Sequence, residues 1–221
     1  MGKLFVIEGV DGAGKNTLAR RLVSAWERDG LDVVRVGFPR YGRSIHADLA
    51  AEALQGEHGD TSASVHAMAL LFALDRREAG DDIRKILVDN DIVLLDRYVA
   101  SNAAYTAARL EQSVDGEAVE WIRSLEFDRF GVPVPDVQIL LDVPVALAAE
   151  RAAARESADA ARTRDAYERD GSLQSRTSAA YGRLAASNWV SPWRVVAADV
   201  DPDRLAADMF NQPSGERKVT P

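Results

Sequence analysis

Between residues 4 and 28 the chain passes from a bare apolar run, Leu4-Phe5-Val6-Ile7-Glu8, through Gly9-Val10-Asp11-Gly12-Ala13-Gly14-Lys15-Asn16 into a stretch carrying Leu18, Leu22 and Trp26 at helical spacing. No other feature constrains the fold as tightly. The middle segment fits G-x-x-x-x-G-K and lies where that pattern has physical meaning, directly between a strand and a helix. Its glycines let successive backbone N–H groups converge on phosphate oxygens. The following helix adds its positive N-terminal end, and Lys15 adds a point charge for the terminal phosphates. A nucleotide polyphosphate is the ligand such a loop takes.

One position departs from the pattern. The residue after the lysine is ordinarily Ser or Thr, whose hydroxyl binds Mg²⁺; here it is Asn16, with Thr17 one place later. A shift of one residue turns a helical side chain by about 100°, so Thr17 does not replace the missing hydroxyl. Metal binding then leans on carboxylates, for which Asp11, Asp96 and Glu168 are the candidates.

The rest of the chain alternates short apolar runs with long helical patterns. Strands are expected at Leu4–Glu8, Val33–Val36, Ile92–Leu95, Val137–Leu141 and Arg194–Ala197. Helices are expected at Lys15–Arg28 and at about 44–55, 61–88, 100–110, 116–129, 144–156, 165–186 and 202–210. Strands that are apolar throughout, separated by helices, imply an α/β fold with a five-stranded parallel sheet covered by helices on both faces. One domain over 1–210 is expected, with 211–221 a disordered tail.

Composition narrows the function classes. The 221 residues contain no cysteine, which excludes disulfides, thiolate metal sites and cysteine nucleophiles. The longest apolar runs are too short to span a bilayer, and the N-terminus has no secretory pattern, so a cytoplasmic protein is expected. A formal charge of −8 argues against broad nucleic-acid binding. Lysine occurs only at Lys3, Lys15, Lys85 and Lys218, so 23 of the 27 basic residues are arginine, the better side chain for gripping phosphate oxygens in pairs. His46, His58 and His66 have no metal-ligand spacing and read as surface or helix-packing residues.

Three further segments follow strand ends, where open parallel sheets bind ligands: Phe38-Pro39-Arg40-Tyr41, Asp96-Arg97-Tyr98 and Ser101-Asn102-Ala103-Ala104-Tyr105. With E-G-V-D-G-A-G-K and L-F-A-L-D-R, in this order, they make the chain resemble bacterial thymidylate kinases, the actinobacterial form most closely, from about Leu4 to Met209. The resemblance implies a P-loop fold with a short helical lid at about 151–165, a homodimer, and phosphoryl transfer from ATP to thymidine monophosphate (dTMP) with Mg²⁺. It implies an ATP site over Gly9, Val10, Asp11, Gly12, Ala13, Gly14, Lys15, Asn16 and Thr17, with Arg151 and Arg155 from the lid. On the dTMP side it implies Phe72 stacking on the base, Arg76 and Asn102 at the base edge, Tyr105 against the sugar and Arg97 on the acceptor phosphate. Phe38, Arg40 and Tyr41 line that site, Tyr167 closes over base or sugar, and Asp11 and Glu168 lie near the metal.

Phosphoryl transfer needs positive charge on the moving group and exclusion of water. Arg151 and Arg155 are four apart and share a helix face, in an Ala-rich segment suited to a lid. In the resembled family some members carry a basic residue within the phosphate loop and others supply arginines from the lid. Gly12 after Asp11 implies the second arrangement here, with Arg155 the first choice for the transition state and Arg151 and Arg162 in support. Catalytic roles are expected of Lys15, Arg97, Arg155 and Asp11. The residues leave open another P-loop nucleoside monophosphate or deoxynucleoside kinase, and a nucleotide-dependent switch, although no N-K-x-D-like guanine-reading segment is found.

Overall fold

The computed structural model describes residues 1–158 and 165–210. Five strands, β1 (Lys3–Glu8), β2 (Val33–Gly37), β3 (Ile92–Asp96), β4 (Val137–Leu141) and β5 (Trp193–Val196), form one sheet in the order β2-β3-β1-β4-β5. All four pairings are parallel. The expected α/β fold and parallel sheet are both present.

Side chains alternate across this sheet, so each strand feeds two cores. Leu4, Val6, Val93, Leu95 and Leu140 face α3 (Val65–Asp89), α4 (Val99–Leu110), α5 (Glu117–Arg123) and α8 (Gly171–Ala186). Phe5, Ile7, Ile92, Leu94 and Ile139 face α1 (Lys15–Arg28), α6 (Val145–Ala158) and α9 (Pro202–Phe210). Burial on both faces is why these strands read as apolar runs rather than alternating ones. A smaller cluster joins α2 (Ile45–Leu54) to the start of α3 through Ala50, Ala53 and Met68.

The helical pattern expected at 61–88 begins instead at Val65, because Ser64 caps it by accepting a hydrogen bond from Ala67 N. The stretch expected as one helix at 116–129 changes after Arg123 into a π-helical turn, Ser124–Arg129. The stretch at 165–186 splits into a single turn, α7 (Ala166–Arg169), and α8. The split falls at Asp170, whose carboxylate caps α8 through Ser172 N and Leu173 N. Residues 159–164, with Arg162 and part of the expected lid, and the tail 211–221 lie outside the described residues, as does the Arg155 side chain.

Close packing positions the glycine loop. Gly12 has φ of +83°, and a Cβ there would sit 1.9 Å from the carbonyl oxygen of Ala148 on α6. The loop and α6 therefore touch backbone to backbone. Gly12→Ala is expected to cost about 1–3 kcal/mol or more through positive-φ strain and this clash. The check is a denaturant midpoint lowered at constant m-value.

Candidate active site

Every strand of a parallel sheet ends on the same side, and here β1, β2 and β3 deliver their following residues into one cleft of about 1090 Å³. Its phosphate-loop wall is made by Gly12, Gly14, Lys15, Asn16 and Thr17, with Arg151 from α6. Gly9, Val10 and Ala13 do not line the cleft; they shape the loop from behind. Lys15 Nζ donates to the carbonyls of Gly9 and Val10, both at 2.9 Å. Burial, followed by the Arg97 charge, lowers its pKa from the usual 10.5 to about 8, against the opposing pull of Asp11, Asp96 and Glu8. Arg151 Nη1 reaches the Ala13 carbonyl at 3.3 Å.

Arg97 stands at the centre. Its backbone takes φ of +65° and its N–H donates to Ile7 O at 2.9 Å, which swings the side chain across the end of β1. The guanidinium donates to Asp11 Oδ1 at 2.5 Å, Ser101 Oγ at 3.2 Å and Tyr181 OH at 3.3 Å. Tyr105 OH donates to Asp11 Oδ2 at 2.7 Å. Burial alone would raise the Asp11 pKa, but the Arg97 and Lys15 charges and the Tyr105 and Arg97 hydrogen bonds hold it well below the usual carboxylate range. Beneath this layer Glu8 accepts from Tyr98 N, Ser101 N, Ser101 Oγ and Tyr181 OH. Its burial outweighs these bonds and the Arg97 charge, so its pKa is raised.

Beyond Arg97 the cleft continues into a pocket walled by Phe38, Tyr41, Phe72, Arg76, Asn102, Tyr105 and Tyr167. The Tyr105 and Tyr167 rings stack with centroids 5.9 Å apart, and Arg109 holds Tyr167 through its hydroxyl and its ring face. Asp165 and Glu168 reach the same space from α7 and its cap. Arg40, expected on the dTMP side, is placed elsewhere by the fold. Its Nε donates to Asp75 Oδ1 at 2.7 Å and its Nη2 to Asp75 O at 2.9 Å, and it does not line the cleft. Arg40 thus ties the Phe38–Tyr41 turn to α3.

A cleft with a phosphate loop at one end and a pocket walled largely by aromatic rings at the other, bridged by an Arg–Asp pair, suits two ligands joined through phosphate. The thymidylate kinase family model matches residues 7–192. The chain belongs to the thymidylate kinase family. It is 55% identical over 206 residues to the thymidylate kinase of Mycobacterium tuberculosis, which covers 93% of this chain and 96% of that one. It is 33% identical to the thymidylate kinase of Akkermansia muciniphila over 93% of this chain and 88% of the other. A probable thymidylate kinase of Thermococcus onnurineus is 39% identical over 64% of this chain and 66% of its own length.

The donors of a divalent ion can be judged from the same geometry. Among the described residues no three His, Asp or Glu ligand atoms gather at the cleft; the one such group, Glu52, Glu57 and His58, does not line it. Mg²⁺ does not require a protein cage, since it keeps waters and takes one or two carboxylates plus substrate phosphates. Glu168 and Asp11, both at the cleft wall, fit that donor set once the Asp11 oxygen now paired with Arg97 is released by Arg97 turning to phosphate.

Two residues outside the expected set matter here. Arg35 interrupts the valines of β2 and donates to Asn16 Oδ1 and Asp96 Oδ2. Glu126, in the π-helical turn, is fully buried and accepts from Arg76 Nε at 2.5 Å, Arg76 Nη2 at 2.7 Å and Asn102 Nδ2 at 2.8 Å. It fixes both side chains expected at the base edge. The π turn shifts the helical phase by one residue to aim Glu126 inward, and nothing in the residue pattern announces that shift. Removing one partner of a buried ion pair strands the other charge. Glu126→Ala is therefore expected to cost about 3–5 kcal/mol of stability, and a Glu126→Ala, Arg76→Met double variant should recover much of that loss in urea titrations.

Proposed function

We propose that this chain is an ATP:dTMP phosphotransferase, moving the γ-phosphoryl group of ATP onto thymidine monophosphate to give ADP and thymidine diphosphate. The observation that carries this reading is the placement of Arg97 between the phosphate loop and the Phe72–Arg76–Asn102 pocket, in a chain of the thymidylate kinase family. A free nucleoside acceptor offers no phosphate to a guanidinium at that midpoint; a monophosphate does.

In this reading the loop amides and Lys15 hold the ATP phosphates, while Phe72 stacks on thymine with Arg76 and Asn102 at its edge. Tyr105, already bonded to Asp11, packs against the deoxyribose and crowds the place a 2′-hydroxyl would take. Arg97 exchanges part of its contact with Asp11 for the acceptor phosphate. No protein base is needed, because the attacking oxygen belongs to a phosphate that is already anionic, and positioning with electrostatics carries the rate. Mg²⁺, held by Asp11 and Glu168 with the phosphates, supplies charge neutralisation when bound. Arg151 and Arg155 bring lid charge to the transferred group, in a single domain over 1–210 with its lid at about 151–165. A homodimer in the cytoplasm completes the proposal.

Steady-state assays with dTMP, uridine, cytidine and guanosine monophosphates and thymidine test the acceptor. The highest kcat/KM is expected for dTMP, and preference for any other acceptor refutes the assignment. A second test uses Lys15. With a pKa of about 8 in the free protein, the lysine is half charged at pH 8, and a phosphate beside it restores the proton. ADP binding at pH 8 should take up about half a proton, read from calorimetric enthalpies in buffers of different ionisation heat. Uptake should vanish below pH 7, where Lys15 is already charged, and in Lys15→Arg.

A further inference from the structure

The edge strand β2 is half-buried and reads Val33-Val34-Arg35-Val36-Gly37, one charged side chain within an apolar run. Arg35 points to the α1 side of the sheet, like Val33, and its side chain is 28% exposed. Its two terminal nitrogens divide between two acceptors. Nη1 donates to Asn16 Oδ1 at 2.7 Å, and Nη2 donates to Asp96 Oδ2 at 2.7 Å. Both acceptors lie on the wall of the cleft.

These two positions are not arbitrary. Asn16 follows the loop lysine, and Asp96 ends the strand beside β1. In phosphate-loop proteins the residue after the lysine and a strand-end aspartate are the places that hold the divalent ion. Here one guanidinium spans both of them, and the hydroxyl that would ligate a metal is an amide whose oxygen is already used. Arg35 is permanently charged, and a cation seated between these acceptors repels a second one arriving at the same donors.

We infer that Arg35 supplies from the edge strand the positive charge that phosphate-loop proteins otherwise take from a divalent ion at these two positions. It serves the polyphosphate of a nucleoside di- or triphosphate, and it confines metal to the Asp11–Glu168 side of the cleft. Arg35 is a positioning residue, acting through Asn16 and Asp96. The inference rests on the phosphate site described under Proposed function.

Two consequences separate this role from a structural ion pair: nucleotide affinity depends little on metal, and deleting the charge creates a metal site. Calorimetric titration of the full chain with ADP, in excess Mg²⁺ and in excess chelator, reads the first. Electron paramagnetic resonance of Mn²⁺ with saturating ADP reads the second. The parent should show a chelator-to-Mg²⁺ ratio of ADP dissociation constants below about 3. In Arg35→Met that ratio should rise about tenfold, and Mn²⁺ should bind the ADP complex about fivefold more tightly as Asp96 is released. Arg35→Lys keeps the charge but cannot span both acceptors, and its ratio should fall between those two; circular dichroism and Tm establish folding of both variants. If Arg35→Met does not fold, Arg35→Lys alone decides. An unchanged ratio in a folded variant, or a parent ratio above about 3, overturns the inference while leaving the phosphate site standing. Failure of the parent to bind ADP under either condition overturns the phosphate site and the inference together.

Discussion

The register between β1 and β3 is the constraint from which the site follows. Ile7 lies opposite Asp96, so the strand that opens into the glycine loop ends beside the strand that opens into Arg97. The hydrogen bond from Arg97 N to Ile7 O continues the ladder one residue past β3 and turns Arg97 over the end of β1. A slip of one residue would invert which side chains of β3 meet each core. Val93 and Leu95 would then trade places with Ile92 and Leu94, and two fully packed faces forbid it. Hydrophobic burial remote from the cleft thus determines where the phosphate loop and Arg97 stand relative to one another.

Bringing these segments together concentrates like charge. The Arg97 charge acts on Lys15, and the lowered Lys15 pKa is a direct expression of burial reinforced by that repulsion. Asp11 is the counterweight, accepting from Arg97 on one oxygen and Tyr105 on the other. Glu8 works from below, fixing Ser101 and Tyr181, which in turn touch the Arg97 guanidinium. The cleft is therefore preorganised for anions: its donors are already aimed and partly desolvated, so little reorganisation remains when phosphate arrives.

Legibility from sequence tracks how local the determining physics is. The five strands and α1 follow from apolar runs and short-range spacing, and their structural bounds agree with expectation to within a residue or so. The glycine loop is equally local, since its conformation is written in its own residues. What escaped depends on longer range. The start of α3 is set by the Ser64 cap and the division of 165–186 by the Asp170 cap, polar contacts that override helical periodicity on either side. Arg40 sits in the same short segment as Phe38 and Tyr41, yet Asp75, 35 residues away, claims its guanidinium. Glu126 is aimed at Arg76 from 50 residues away by a π turn that leaves no mark on composition. Arg35 is displayed by the sequence itself, as a charge within an apolar run, although its partners Asn16 and Asp96 belong to the fold.

An acidic chain with a polyanion site is consistent once charge is considered by place rather than by sum. The formal −8 describes the whole chain, whereas a ligand in the cleft meets Lys15, Arg97, Arg76 and Arg151 within one cavity. Carboxylates on that wall do not cancel these cations uniformly. Asp11 is consumed by Arg97 and Tyr105, and Asp96 by Arg35. Glu126 is spent behind the wall on Arg76 and Asn102. Such pairing lets buried guanidiniums persist without ligand, where each alone would carry a desolvation penalty of several kcal/mol. It also sets the terms of binding, since a phosphate must offer these cations more than their present carboxylates do. A ligand with one phosphate satisfies that condition at Arg97 alone, while a polyphosphate can meet it along the loop, so the two ends of the cleft discriminate ligands by charge before either reads a base.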